Sequence, residues 1–407
     1  MSDWPSVELI EVCTEIVDCI NKTAPKVDYE TPYKMIRTTN VKNGVVNTKD
    51  VKYVTEETYK KWTRRSVPQY GDVILTREAP LGQVGMITVR GEKIFLGQRL
   101  MSYRADPEKL DKHFLLYALQ ESYMQGQIKS FGSGSTVEHM RVGDAEKIKI
   151  KLPPLPVQQK IASILSSYDD LIENNNRRIA ILEEMAQKLY REWFVKFRFP
   201  GYEKVKMVES ELGLIPEGWE VVPFGSMVQY LREPTPKGLL SSQTAYMGLE
   251  HFPRKSIALS DWEYVNEIGS SKLKFQKGDI LFGKIRPYFH KVGVAQTDGI
   301  CSSDTFVWRP KKEYYALAVM IASSDDFVAQ SVQTSQGTKM PRANWNVLKE
   351  YKVVIPPNDL LKRFDDIVKS MIENIHNLSA KNRNLKYQRD LLLPKLISGK
   401  VKVNDEE

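Results

Sequence analysis

Apolar positions along this chain follow two different periods, and the switch from one to the other happens twice. Up to Pro154, short runs such as Val73-Ile74-Leu75, Val84 to Val89 and Ile148 to Leu152 are broken by Gly and Pro, the pattern of strands and turns. Phe114 to Met124 is the helical stretch among them. After Pro153-Pro154 the period becomes helical. Leu165, Ile172, Ile179, Ala186 and Trp193 stand seven apart, with Ile161, Tyr168, Asn175, Leu182 and Leu189 in the companion position. A seam sustained over that distance predicts a coiled-coil helix.

The second half repeats this order. Gly71-Asp72-Val73-Ile74-Leu75, followed by Arg77, Pro80 and Val84-Gly85, is answered by Gly278-Asp279-Ile280-Leu281-Phe282, followed by Lys284, Pro287 and Val292-Gly293. Ile148 to Pro154 is answered by Tyr351 to Pro357, and Trp4 with Val7 and Leu9 by Trp219 with Val222 and Phe224. A second seam follows, with Phe364, Met371, Leu378 and Leu385 seven apart and Val368 and Ile375 beside them. A self-similarity this long decides the architecture before any single element does. It predicts an α+β fold: two similar domains separated by two long helices that form an antiparallel coiled coil, pseudo-two-fold symmetric. The expected boundaries are 1–154 for the first domain, 155–198 for the first helix, 199–357 for the second domain and 358–400 for the second helix. A helix of about 35 residues is about 50 Å long, too long to hide inside either domain. Asn175 on the seam has the character of a register-setting polar residue.

Composition narrows the class of partner. Lys and Arg number 59 against 51 for Asp and Glu, a formal +8 that favours an anionic partner such as nucleic acid. The three cysteines lack metal-ligand or disulfide spacing and read as reduced thiols. The opening MSDWPSVELIEVC has no secretory character and no long apolar run follows, so a cytoplasmic protein with no membrane association is expected.

The run Leu152-Pro-Pro-Leu-Pro-Val-Gln-Gln-Lys-Ile-Ala-Ser-Ile-Leu165, with Asp169-Asp-Leu-Ile-Glu-Asn174 and Leu189-Tyr-Arg-Glu-Trp-Phe194, resembles the first conserved helical region of Type I restriction-modification specificity subunits. Ser210-Glu-Leu-Gly-Leu-Ile-Pro-Glu-Gly-Trp219 resembles the opening of their second target-recognition domain, and Leu392-Leu-Pro-Lys-Leu-Ile-Ser-Gly399 their C-terminal end. The second helix departs from the pattern, with Asn358-Asp-Leu-Leu-Lys362 where proline and glutamine are usual. The resemblance implies that each domain reads one half of a split, asymmetric site in double-stranded DNA. It also implies that the helices space the readers and dock two methyltransferase subunits, through which restriction subunits join. S-adenosylmethionine, ATP and Mg are then expected on those partners and no cofactor on this chain.

Candidate DNA contacts are the polar loops beside the repeated strand. In the first domain these are Arg77, Gln98 and Arg99, with Ser133, Ser135 and Arg141 around a Gly-Ser loop. In the second they are Lys284, Arg286, His290 and Lys291, with Thr338, Lys339 and Arg342. Arginine and glutamine suit base edges, lysine and small hydroxylated residues suit phosphates. Helix pairing and subunit docking are assigned to Leu165, Tyr168, Ile172, Asn175, Ile179, Leu182, Leu189, Trp193, Phe364, Met371, Leu378 and Leu385.

The alternative is an autonomous DNA nuclease or methyltransferase. Gly278 to Lys284 matches a phosphate-binding loop only in part, because Ile285 stands where Ser or Thr would hold magnesium. Glu350-Tyr351-Lys352 with Asp325 or Asp326 has the residues of a nuclease metal site, but the first-half counterpart strand lacks them. No catalytic residue and no metal site is therefore assigned.

Overall fold

Gly71 and Gly278 both have φ of 93°, a left-handed conformation that glycine adopts without strain. Each turns the chain into the same device. The next residue, Asp72 or Asp279, is almost wholly buried and accepts the backbone N–H three residues before it, from Gln69 or Gln276, at 2.8 Å. Its carboxylate is gripped by both arms of an arginine, Arg104 at 2.9 and 2.8 Å in the first copy and Arg309 at 2.8 and 2.9 Å in the second. A buried carboxylate needs such bidentate, charge-assisted partners. The repeated Gly-Asp is thus the corner of a sheet, and the partial phosphate-loop match at Gly278 is accounted for by it.

The computed structural model describes residues 4–132, 138–337 and 339–403. Two compact units partition the chain, Met1–Asp170 with Lys386–Glu407, and Leu171–Leu385. In the first, the strands of the main sheet lie in the order Cys13–Asp18, Leu100–Ala105, Val73–Arg77, Leu81–Met86, Gly44–Val46, Val41–Lys42. In the second the order is Val228–Leu231, Thr305–Pro310, Ile280–Gly283, Val292–Ala295, Ala258–Leu259. The first four strands of each sheet are antiparallel and the fifth joins in parallel, so the duplication extends to strand direction. Helices Lys112–Gln120 and Ser122–Phe131 of the first unit correspond to Tyr315–Ala322 and Asp325–Gln333 of the second. A separate two-stranded pair closes each domain, Ser6–Glu8 on Lys149–Lys151 and Glu220–Pro223 on Lys352–Ile355. The Pro-Pro step and the long helix follow directly.

The first long helix spans Leu155–Tyr190 and continues into a wider turn, Arg191–Val195; the second spans Asn358–Ile397. Along the first, Leu165, Ile172, Ile179 and Trp193 are buried, while Tyr168, Asn175, Leu182 and Leu189 are half-buried. Along the second, Phe364, Val368, Ile372, Ile375, Leu378 and Asn382 are buried, and Met371 and Leu385 half-buried. In the second unit Asn175 Nδ2 donates to Asn382 Oδ1 at 2.8 Å, and the Trp193 and Phe364 rings lie 5.9 Å apart. Rising numbers on one helix meet falling numbers on the other, so the pair is antiparallel. In the first unit Asp169 pairs with Arg389 and accepts the Tyr117 hydroxyl at 2.6 Å, while Ile161 and Leu165 share a core with Leu396 and Ile397.

The departure at the start of the second helix has a structural counterpart. Gln158, fully buried, accepts from Asp111 N at 2.9 Å and donates to the Lys109 and Pro153 carbonyls, tying the first helix to its domain. The residue at the same distance from the second Pro-Pro is Leu361, which is buried in an apolar core instead.

Candidate nucleic-acid interface

Beyond the Gly-Asp strand of each copy, three segments meet. In the first, Arg77 N donates to the Arg99 carbonyl at 2.8 Å, Met140 N donates to the Arg77 carbonyl at 3.0 Å, and Glu78 bridges to His139. In the second, Lys284 N donates to the Asp304 carbonyl at 2.9 Å, Ala343 N to the Lys284 carbonyl at 2.8 Å, and Ile285 bridges to Arg342. These contacts match one for one. The turn that follows is also shared: Ala79, before Pro80 in a cis peptide, has φ of 51°, and Arg286, before Pro287, has φ of 49°. A left-handed residue other than glycine is strained, more so before proline, and such strain gathers at functional sites.

These segments bring together several residues singled out from the sequence. Arg99, Arg141, Lys339 and Arg342 are exposed, and Lys284 and Arg286 half-buried. Burial lowers the Lys284 pKa, with Asp304 opposing the effect and Arg232 and Arg342 adding to it. Gln98 is half-buried and its Oε1 accepts the Thr23 hydroxyl at 2.9 Å. Lys291 donates to the Leu249 carbonyl, and burial and Arg254 lower its pKa. Ser133, Ser135 and Thr338 lie outside the described residues. Tyr288 and Met340, both exposed, add apolar surface beside Arg286 and Arg342.

Two expected contacts are corrected. Arg77 is only 6% exposed and its guanidinium donates to the Met140 carbonyl at 3.1 Å, so it holds the Met140 segment from within rather than facing a ligand. His290 is 7% exposed, with Nε2 on the Ser323 carbonyl at 3.0 Å, and burial lowers its pKa. It is an internal residue rather than a surface contact. Glu78 and Asp304 were passed over, because a search for DNA contacts selects cations; their place beside those cations is visible only in three dimensions.

The residues weighed for enzymatic chemistry have other partners. Asp325 is paired with Lys255 at 3.0 Å and lies 3.5 Å from the His290 ring, and Glu350 lies 3.8 Å from Lys349. Among the described residues one group, Glu250, His251 and Glu263, brings three potential metal-ligating atoms within 4.8 Å of one another. His251 Nδ1 already accepts the Gly248 N–H at 2.9 Å. That bond leaves Nε2 protonated in the neutral ring and unsuited to a metal. No described helix is long and apolar enough to cross a membrane.

Duplicated recognition-type domains, each followed by a long helix, define a class, and the chain belongs to it. The family model for the Type I restriction modification DNA specificity domain matches residues 1–184 and again 216–387. The Type I restriction enzyme MjaIX specificity subunit of Methanocaldococcus jannaschii is 25% identical over 371 residues, covering 86% of this chain and 82% of the relative. The EcoDI specificity subunit of Escherichia coli is 24% identical over 318 residues, covering 70% and 69%. In fold, the crystal structure of the Type I restriction-modification S subunit from M. genitalium superposes with a TM-score of 0.56 at 15% identity, over 97% of this chain and 96% of that one. The chain is accordingly a specificity subunit, the non-catalytic member of such a system.

Proposed function

We propose that this protein reads a bipartite, asymmetric site in double-stranded DNA, one half through each copy of the domain, and docks two methyltransferase subunits along its helices. Restriction subunits then join through those partners, and S-adenosylmethionine, ATP and Mg are held by them. The observation that carries the reading is the three-segment cluster, built on the same framework in both copies and furnished with different side chains in each. One framework with two sets of contacts gives two half-sites of different sequence.

The seam residues named from the sequence are buried or half-buried, which suits helix pairing. Docking then falls to outward positions, where Ile181 and Met185 are 55% and 49% exposed one turn apart on the first helix.

The test is methylated-site mapping of the complex with its methyltransferase. Arg99→Ala is expected to relax or weaken the first half-site alone and Arg286→Ala the second alone, by about 1–3 kcal/mol for a base contact. A purified chain that methylates or cleaves DNA by itself with S-adenosylmethionine, ATP and Mg would overturn the assignment, as would either substitution altering both halves equally in a folded protein.

A further inference from the structure

Among the described residues of each cluster a carboxylate lies against basic side chains, and the two copies place it on different segments. In the first copy Glu78 lies 3.3 Å from Arg99 Nη2 and 3.3 Å from His139 Nδ1. In the second the acid is Asp304, 3.2 Å from Arg342 Nε. The matching backbone contacts make Glu78 the counterpart of Ile285, Arg99 of Asp304, and His139 of Arg342. A basic side chain on the third segment is thus kept in both copies. The acid beside it comes from the strand exit in the first and from the middle segment in the second.

Burial separates the partners. The Glu78 and Asp304 side chains are 21% and 31% exposed, whereas Arg99, His139 and Arg342 are 50%, 43% and 50% exposed. The acids are recessed and the basic side chains project. Pairs of this exposure contribute at most about 1 kcal/mol to stability, so fold stability is a weak reason for building one in each copy. Orientation is a stronger one. A guanidinium has five N–H donors in a rigid fork, and a carboxylate against one of them restrains where the fork points while leaving donors to spare. The same contact keeps a long cation from swinging to the nearest phosphate, which carries no sequence information.

We propose that Glu78 and Asp304 are positioning residues for DNA recognition, aiming Arg99 and His139 in the first half and Arg342 in the second. Approach of the acid from different sides aims the third-segment basic side chain differently in each copy, which contributes to the difference between the half-sites. The proposal rests on reading these clusters as the DNA-contacting surface.

The experiment uses the complex with its methyltransferase, carrying Glu78→Gln, Asp304→Asn or the conservative Glu78→Asp, beside Arg99→Ala and Arg342→Ala. Base preference at each half-site is mapped by methylation, and thermal melting is recorded for every complex. Glu78→Gln is expected to lose about ten- to a hundredfold of discrimination at one or two positions of the first half-site, with the second unchanged and melting unaltered. Asp304→Asn should do the reverse, and Glu78→Asp should retain most of the preference. Unchanged preference in both carboxylate variants, while the arginine variants shift it, overturns the positioning role. So does a lowered melting temperature with preference intact, which marks a structural role only. If the arginine variants also leave every preference unchanged, the reading of these clusters as the DNA surface fails, and the proposal with it.

Discussion

At His376, on the second long helix, Nε2 is buried with no hydrogen-bond partner, and burial, reinforced by Lys277, pushes the ring's pKa down to about 4. The unfolded chain binds that proton with a pKa of about 6.5. A depressed histidine contributes stability that is present above the unfolded value and lost as pH falls through the folded one, here between about pH 6.5 and 4. Thermal melting of the protein from pH 7 to 5 should show this acid-side loss, and His376→Leu should flatten it by up to about 2 kcal/mol over that range, leaving pH 7 stability little changed. An identical acid slope in the variant would assign the loss to other groups. Side-chain direction was the least legible property at this scale. All five residues of Val73–Arg77 are buried, so the strand has no polar face by which Arg77 could be told from an outward arginine. His290 sits among basic residues in sequence, yet its left-handed backbone, φ of 51°, goes with a ring turned onto the Ser323 carbonyl. Arg99 and Arg342, one residue class with Arg77, have half-exposed side chains.

Among the elements, the long helices were the most legible, since a seven-residue repeat of apolar positions has one economical way to be buried. The register of the pair is fixed by a contact that spacing alone does not single out: Asn175 and Asn382 hydrogen-bond each other. Asn382 also donates to Asn176 Oδ1 at 2.9 Å, so the amide is satisfied on both sides. Asn382→Leu alone should lower stability by about 1–2 kcal/mol, because it leaves Asn175 without its partner. Adding Asn175→Leu should restore melting to the parent value or above, since an apolar pair replaces a buried polar one. A double-mutant cycle by thermal melting checks the coupling, and additive effects would show that the two amides act separately. What periodicity did not reveal was the anchoring of each helix to its domain. Gln158 and Leu361 solve the same attachment with a hydrogen-bonded amide and an apolar side chain, and no pattern of spacing distinguishes a buried glutamine from a solvated one.

At the scale of the whole chain, the repeat made two recognition domains and two helices legible, but not where the structure divides. Composition changes at the Pro-Pro steps, whereas the compact units divide within the helices, at Asp170/Leu171 and Leu385/Lys386. The reason lies in the second unit's core. Phe194 from the end of the first helix stacks edge-on against Trp219 at 5.7 Å and against Phe364 of the second helix at 4.6 Å, and Phe199 lies 5.0 Å from Trp219. Helix ends and domain therefore share one apolar cluster. This gives a prediction for exchanging recognition domains with another specificity subunit. A chimera joined at 170/171 and 385/386 imports the cluster whole, and its complex with methyltransferase should fold, keep the first half-site and acquire the donor's second. A chimera joined at 198/199 and 357/358 cuts between Trp219 and both Phe194 and Phe197. Mismatched aromatic contacts of this kind cost about 1–3 kcal/mol when they overpack and more when they leave a cavity, so this chimera should melt lower even where its specificity switches. Melting curves of the two chimeras, together with their methylated-site maps, provide the comparison. Equal stability would show that the helix ends contribute little to the domain's core, and a change in the first half-site in either chimera would break the assignment of one half-site to each copy.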